Sequence, residues 1–255
     1  MELNDAWKST CKVLLGGEIG DIKEYEDYLK KYIKSPQKRV SSFSGKEVAV
    51  TSQYLGDKDK FISYDELALY KAKFGDNGLN VNELKDIDSL LGALKERFYY
   101  SGNIILGNSF KTESADRCDN SSFVSNSVDV YDSKFIAYSS TLRYSEYVFG
   151  SDLIGQGTKF CIKGYDVYEL ARGFEAIRVF VSSDCYYSGN LEGCTNCMFS
   201  FNLRKQNYCI GNLSLPKDEY AKLKEKLLVD IRETLKSKKS IPSVIEIMGG
   251  KYEGN

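Results

Sequence analysis

The chain of 255 residues contains no histidine. Histidine is the usual proton carrier near neutral pH and the commonest metal ligand, so its absence removes whole classes of chemistry. Ser-His-Asp and Cys-His nucleophiles are excluded. So are His-ligated zinc and the helical HExxH pair. An enzyme of this composition would have to use carboxylate, lysine, tyrosine or thiolate groups alone. No apolar run approaches the ~20 residues of a membrane helix. The opening "MELNDAWKST" is too polar for a secretory signal, and the expectation is a cytoplasmic protein with no membrane partner. An excess of one charge is missing as well. With 35 Lys and Arg against 36 Asp and Glu, no global basic field draws the chain to nucleic acid.

Complete cofactor motifs are also lacking. "SGKEV" at Ser44–Val48 has a Gly-Lys pair, but neither the upstream glycine nor the following Ser or Thr of a P-loop. "DKDKFISYDEL" offers Asp57, Asp59 and Glu66 for calcium, yet lacks the sixth-position glycine and ends its twelve-residue frame on Ala68. "GQG" at Gly155–Gly157 is too short to cradle a nucleotide. No two carboxylates form a distinctive pair, and no catalytic or cofactor-binding residue is assigned.

What is present begins with seven cysteines. An odd number without a secretory signal argues against a disulfide framework. Cys185, Cys194, Cys197 and Cys209 form C-x8-C-x2-C-x11-C. Four thiolates suffice for a structural zinc, though a second Cys-x-x-Cys is missing. A redox Cys-x-x-Cys normally opens a helix, whereas "CTNCMFSF" reads as strand. Three readings stand: packed apolar thiols in adjacent coils, which is the one expected and needs no cofactor; a structural zinc; or a disulfide or redox pair.

Residues 1–100 read as mainly helical. Trp7, Cys11, Leu14 and Leu15 mark one apolar face, stopped by Gly16-Gly17; Ile22, Tyr25, Leu29, Tyr32 and Ile33 mark a second. "EVAVTSQYL" is a strand candidate. Ser63-Tyr64-Asp65-Glu66 fits a capping box opening a helix toward Phe74, and Leu84, Ile87, Leu91, Leu94 and Phe98 form the stripe of another.

From residue 101 to 213 the chain repeats. Phe123, Phe135 and Tyr147 are twelve apart, as are Val130, Leu142 and Ile154, and Ser127, Ser139 and Ser151. With one residue inserted, Phe160, Gly164 and Val167 continue the rows. Twelve residues suit two short strands and two turns, the coil of a parallel β-solenoid. The aromatic row should then stack at the strand spacing of about 4.8 Å. "YELARGFEAIR" interrupts the rows as a short helix or bulging loop. Residues 214–255 should supply a closing helix, with Tyr220, Leu223, Leu227, Ile231 and Leu235 on one stripe, and a final strand in "SIPSVIEIMGG".

The stretches "SSFVSNSVDVYDS", "NCMFSFNLRKQNYCIGN" and "LPKDEYAKLKE", with the opening "LNDAWKSTCKVLLGGEIGDIKEYEDYL", resemble a group of cytoplasmic archaeal and candidate-phylum proteins. Their Ser/Asn/Cys-rich coils precede a closing C-terminal helix. The resemblance implies a β-solenoid and supplies no activity.

The expectation is therefore an α+β protein: a helical N-terminal region, a parallel β-solenoid and a capping C-terminal helix. The leading function is a non-catalytic interaction or scaffold protein on a large partner. Basic clusters at Lys30, Lys31, Lys34, Lys38 and Arg39 and at Lys236, Lys238 and Lys239 suggest a ribosome-associated or ribosome-dimerising factor as one form of it. The rival is a histidine-free enzyme using Cys or Asp/Glu in a cleft between helices and solenoid. A homodimer is expected on a solenoid face or edge, because only one end of the solenoid has an evident closing element.

Overall fold

In a computed structural model the architecture is described for residues 1–52, 54–56, 60–75, 78–79, 81, 84–154, 159–167, 172–180 and 182–249. Its body is a parallel β-solenoid of about seven turns. The strands Phe110–Glu113, Ser122–Ser125, Lys134–Ala137, Glu146–Phe149 and Lys159–Ile162 form one sheet. An eight-stranded sheet lies opposite. Lys134 pairs with Ser122 and with Glu146, and Ser140 with Val128 and with Asp152. Each coil is therefore twelve residues long.

The structural unit is half of that. Left-handed φ recurs at every third residue, through Asn120, Phe123, Asn126, Asp129, Asp132, Phe135, Tyr138, Thr141, Tyr144 and Tyr147. Asn and Asp tolerate this conformation better than other side chains and fill four of these ten positions, while Phe, Tyr and Thr fill the other six. One apolar residue per half-coil points inward, giving a core of Cys118, Val124, Val130, Ile136, Leu142, Val148 and Cys161. A serine ends each half-coil. The Ser133 hydroxyl donates to the Tyr131 carbonyl at 2.7 Å and accepts from the Ser145 amide at 3.1 Å; Ser127 and Ser139 do the same one half-coil away. These serines are buried, and the ladder satisfies corner amides that the sheets leave over.

The aromatic row stacks as expected. Ring centroids of Phe123, Phe135, Tyr147 and Phe160 follow at 4.8, 5.0 and 5.2 Å. Leu142 pairs with Ile154 and Ile154 with Val167, so the second row holds its backbone register. Residues 168–171 of the interrupting stretch, the "GQG" segment, and Asp57 and Asp59 lie outside the described residues. Beyond the interruption the ladder resumes: the Glu175 amide donates to Ile162 and that of Tyr187 to Phe174.

Helices cover the aromatic face. The first, α1 (Leu3–Leu15), lays Trp7, Cys11, Leu14 and Leu15 on it. Trp7 meets Phe149 edge-on at 5.4 Å. After a 3-10 turn, α2 (Glu26–Lys30) follows. Gly150, at φ +78°, is needed here: a Cβ would stand 2.9 Å from Leu29 Cδ2.

The N-terminal region holds more strand than its periodicity suggested. A hairpin of β1 (Gln37–Val40) and β2 (Glu47–Val50) precedes β3 (Phe61–Ser63). Then come α3 (Leu67–Phe74), α4 (Ile87–Arg97) and β4 (Tyr100–Gly102), which pairs with β3. The expected capping box at Ser63 is present. The Asn103 amide donates to Ala49, and the Thr51 amide to Asp116 of the early coils. The front of the solenoid is thus met by β-structure rather than by helices.

At the other end Leu213–Ser214 pairs antiparallel with Asn207–Ile210, and α5 (Lys217–Lys238) sets Tyr220 against Tyr208. It then runs back beside α1, where Arg232 donates to the Leu15 carbonyl at 3.0 Å. The expected final strand is instead a helical turn, α6 (Val244–Ile247). Ser243 and Glu246 form a capping box there, and two N-terminal caps outweigh the β-propensity of a four-residue segment.

Candidate functional site

The cysteines come together. Cys185, Cys197 and Cys209 occupy the inward position of successive coils, paired Cys185 to Cys197 and Cys197 to Cys209. Cys194 replaces a corner serine: its amide donates the ladder bond to Ser182 Oγ at 3.0 Å. With Leu191 the four sulfurs make a closed, buried cluster. Cys197 is held below its ordinary value chiefly by the neighbouring Cys185, with Cys209 and Cys194 adding to it, against the effect of burial. Cys185 is pushed up as the other half of that pair. Cys118 and Cys161, alone in apolar surroundings, are each pushed up to about 12 by burial.

A mononuclear zinc needs every sulfur about 2.3 Å from one point, hence no two sulfurs beyond about 4.6 Å. Cys185 and Cys209 stand two ladder steps apart, roughly 9.6 Å along the solenoid. That backbone spacing is wider than one tetrahedral site spans, and the inward cysteines take the place that Val, Ile and Leu hold in the earlier coils.

A polar cleft of about 580 Å³ opens where the hairpin meets the first coils, lined among others by Lys38, Lys46, Glu47, Ser63, Asp65 and Asn103. Both of its lysines are paired with its own carboxylates. Lys46 reaches Asp65 at 2.6 Å and Lys38 reaches Glu47 at 2.9 Å. Lys46 holds the Asp65 carboxyl below its ordinary range, and Lys38 does the same to Glu47. Neither acid is poised to donate a proton near neutral pH.

Sequence reasoning missed a buried ion pair. Lys163 and Glu175 occupy the same register position on neighbouring coils, 0% and 1% exposed, with Nζ 2.9 Å from Oε1. The contact is close but not aligned as a hydrogen bond. Tyr28 donates to Glu175 Oε1 and the Val244 amide to Oε2, both at 2.9 Å. The Tyr28 ring covers Nζ at 4.0 Å. Burial holds Lys163 below its ordinary value, against the pull of Glu175. The pair fastens α2 and α6 to the coils. Twelve-residue spacing was the available signal.

The basic clusters are largely neutralised by neighbouring carboxylates. Lys30 ends on Glu26 and Lys31 on Glu246; Lys236 reaches Glu233 at 3.1 Å and Lys239 reaches Glu24 at 2.6 Å.

One surface is not spent internally. Neither α3 nor α4 has a buried side chain. A half-buried aromatic cluster of Phe43, Tyr70, Phe74 and Tyr99 holds α3, and the Tyr70 hydroxyl donates to the Arg97 carbonyl at 2.9 Å. The expected apolar stripe faces out: Leu84, Ile87, Leu91, Leu94 and Phe98 are 52%, 64%, 49%, 44% and 68% exposed. Leu91, Leu94 and Phe98, with Leu55, Lys60 and Tyr100, line an open apolar groove of about 560 Å³. Comparison with protein families, curated proteins and solved structures finds no match.

Proposed function

We propose that the protein is a non-catalytic interaction protein in which the solenoid is a rigid frame and the α3–α4 arm is the part offered to a macromolecular partner. The observation that carries this reading is the α4 stripe. A contiguous apolar face beside an apolar groove costs solubility unless something covers it. The pairing of lysines with carboxylates in the polar cleft, and the closed thiol column, support the same reading against catalysis. A cytoplasmic setting agrees with free thiols and with the absence, among the described residues, of any helix long and apolar enough to cross a membrane.

Docking on a ribosome or another RNA–protein assembly is the narrower form of this proposal. It rests on the two basic clusters, and the carboxylates beside Lys30, Lys31, Lys236 and Lys239 weaken it, because a neutralised lysine releases little counterion from phosphate. The test is a photo-crosslinking residue placed in the full chain in its own cells, at Leu94 in one variant and at Thr141, on the exposed sheet, in another. Discrete adducts from position 94 and none from 141 are expected. Adducts from neither position would overturn the reading.

A further inference from the structure

The α4 face is complementary to itself when reversed. Its apolar residues recur at i, i+4, i+7 and i+11 from Ile87 to Phe98, one straight stripe on a helix. Laid against an antiparallel copy, Leu91 meets Leu94 of the second copy, and Ile87 meets Phe98 of the second copy. Each layer then pairs apolar with apolar, and the register closes on itself about a two-fold axis. Asp88 and Lys95 both lie on one flank of the stripe, seven residues apart. In an antiparallel pair such flank positions face their own kind across the axis, which sets Asp88 of each copy near Lys95 of the other. A parallel pair would set this flank against the opposite one, with Lys95 across from Leu90, and would leave Asp88 and Lys95 apart. Neither residue is in an ion pair among the described residues.

We propose that this face is where a second copy of the chain docks, with the two α4 helices antiparallel and the stripe of each seated toward the groove of the other. The inference rests on the interaction reading and names its partner. It places the dimer contact on the arm rather than on the solenoid, whose aromatic row is already packed against the protein's own helices. A two-fold contact of this kind is the commonest form of closed association. Lysine and aspartate at flanking positions fix its direction, as charged flanks do in helical pairs.

The test is the mass of the full chain in solution across a range of concentrations, beside variants. The expected result is a species of twice the 28.8 kDa chain that Leu94→Asp reduces to monomer. Lys95→Glu should weaken dimerisation on the order of tenfold, since an attractive pair becomes repulsive. Asp88→Lys combined with Lys95→Glu should restore it, an outcome that only this pairing gives. Because the native thiols are buried, a Leu91→Cys, Leu94→Cys double variant should also form a covalent dimer under mild oxidation.

A dimer indifferent to Leu94→Asp and Lys95→Glu overturns the proposal. A monomer at every concentration overturns it too. In that case the photo-crosslink at position 94 separates the two ideas: an adduct to a different protein leaves the interaction reading standing, and no adduct removes both.

Discussion

The coils and the arm solve the problem of burial in opposite ways. In a coil, each half-turn buries one apolar residue and one serine, and the next coil covers both. Ile136 sits between Val124 and Val148 in the ladder, and Ser139 accepts from the Ser151 amide. Every unit is completed by a neighbour twelve residues away. In the arm, α3 and α4 have no such neighbour, and their apolar side chains are left at the surface. The same residue types, Leu, Ile and Phe, are core in one place and exposed in the other. Composition alone therefore does not say which apolar stripe is structural; the presence of a complementary unit does.

The sharpest test of that contrast is the buried pair on the coils. Lys163→Met leaves Glu175 charged and enclosed and should cost ~3–5 kcal/mol in denaturant unfolding. Adding Glu175→Gln should recover most of the loss, because the carbonyl oxygen still accepts from the chain around it. The pair also carries a pH signature. Lys163 titrates below its ordinary value of 10.5, so the unfolded chain binds the proton more readily than the folded one. The cost of the buried charge is present in full at low pH and fades as pH rises through the folded pKa toward 10.5. Relative to the double variant, the natural protein should gain stability with pH in that window. A constant difference would remove Lys163 from the account.

Next in size, Ile136→Ala should cost ~2–5 kcal/mol, the range for emptying a core position. Ser139→Ala should follow at ~1–3 kcal/mol, since it strands the Ser151 amide in the interior. A loss below ~0.5 kcal/mol would mean that water reaches the corner and the serine ladder does not carry the fold. The smallest effect belongs to the arm. Leu94→Asp should leave monomer stability within ~0.5 kcal/mol, as surface changes do, and α4 amides should exchange with solvent much faster than those of the Ser122–Ser125 and Lys134–Ala137 strands. Slow exchange in α4 at low concentration would show that something within the chain already covers it, and would erase the comparison.

The coils were readable because their rule is local and repeats. Phe123, Phe135 and Tyr147 announced the aromatic column, and the twelve-residue serine spacing announced one side of the corner ladder. The six-residue half-unit was harder to see. Its inward position accepts Val, Ile, Leu or Cys, so no single residue type marks it. The cysteines became legible only with the coil length: Cys185, Cys197 and Cys209 are twelve apart, while the conspicuous Cys194-x-x-Cys197 pair spans two different positions of the repeat. Half of the hairpin was legible, since β2 (Glu47–Val50) opens the expected strand "EVAVTSQYL"; its partner β1 was hidden because four residues are too few for alternation to stand out beside the helix before it.

By itself the sequence determined the period of the solenoid, its two-sided character and the exclusion of histidine chemistry. Each of these depends only on residue identity and on spacing along one chain. The tertiary structure alone decided that α1 and α5 cover the aromatic face, that a hairpin meets the front coil, and that Lys163 finds Glu175. It also decided that the α4 stripe stays outside. Amphipathic periodicity states that a helix has an apolar side. Whether that side meets the protein's own core depends on where distant segments come to rest, which is set by long-range packing and not by the helix.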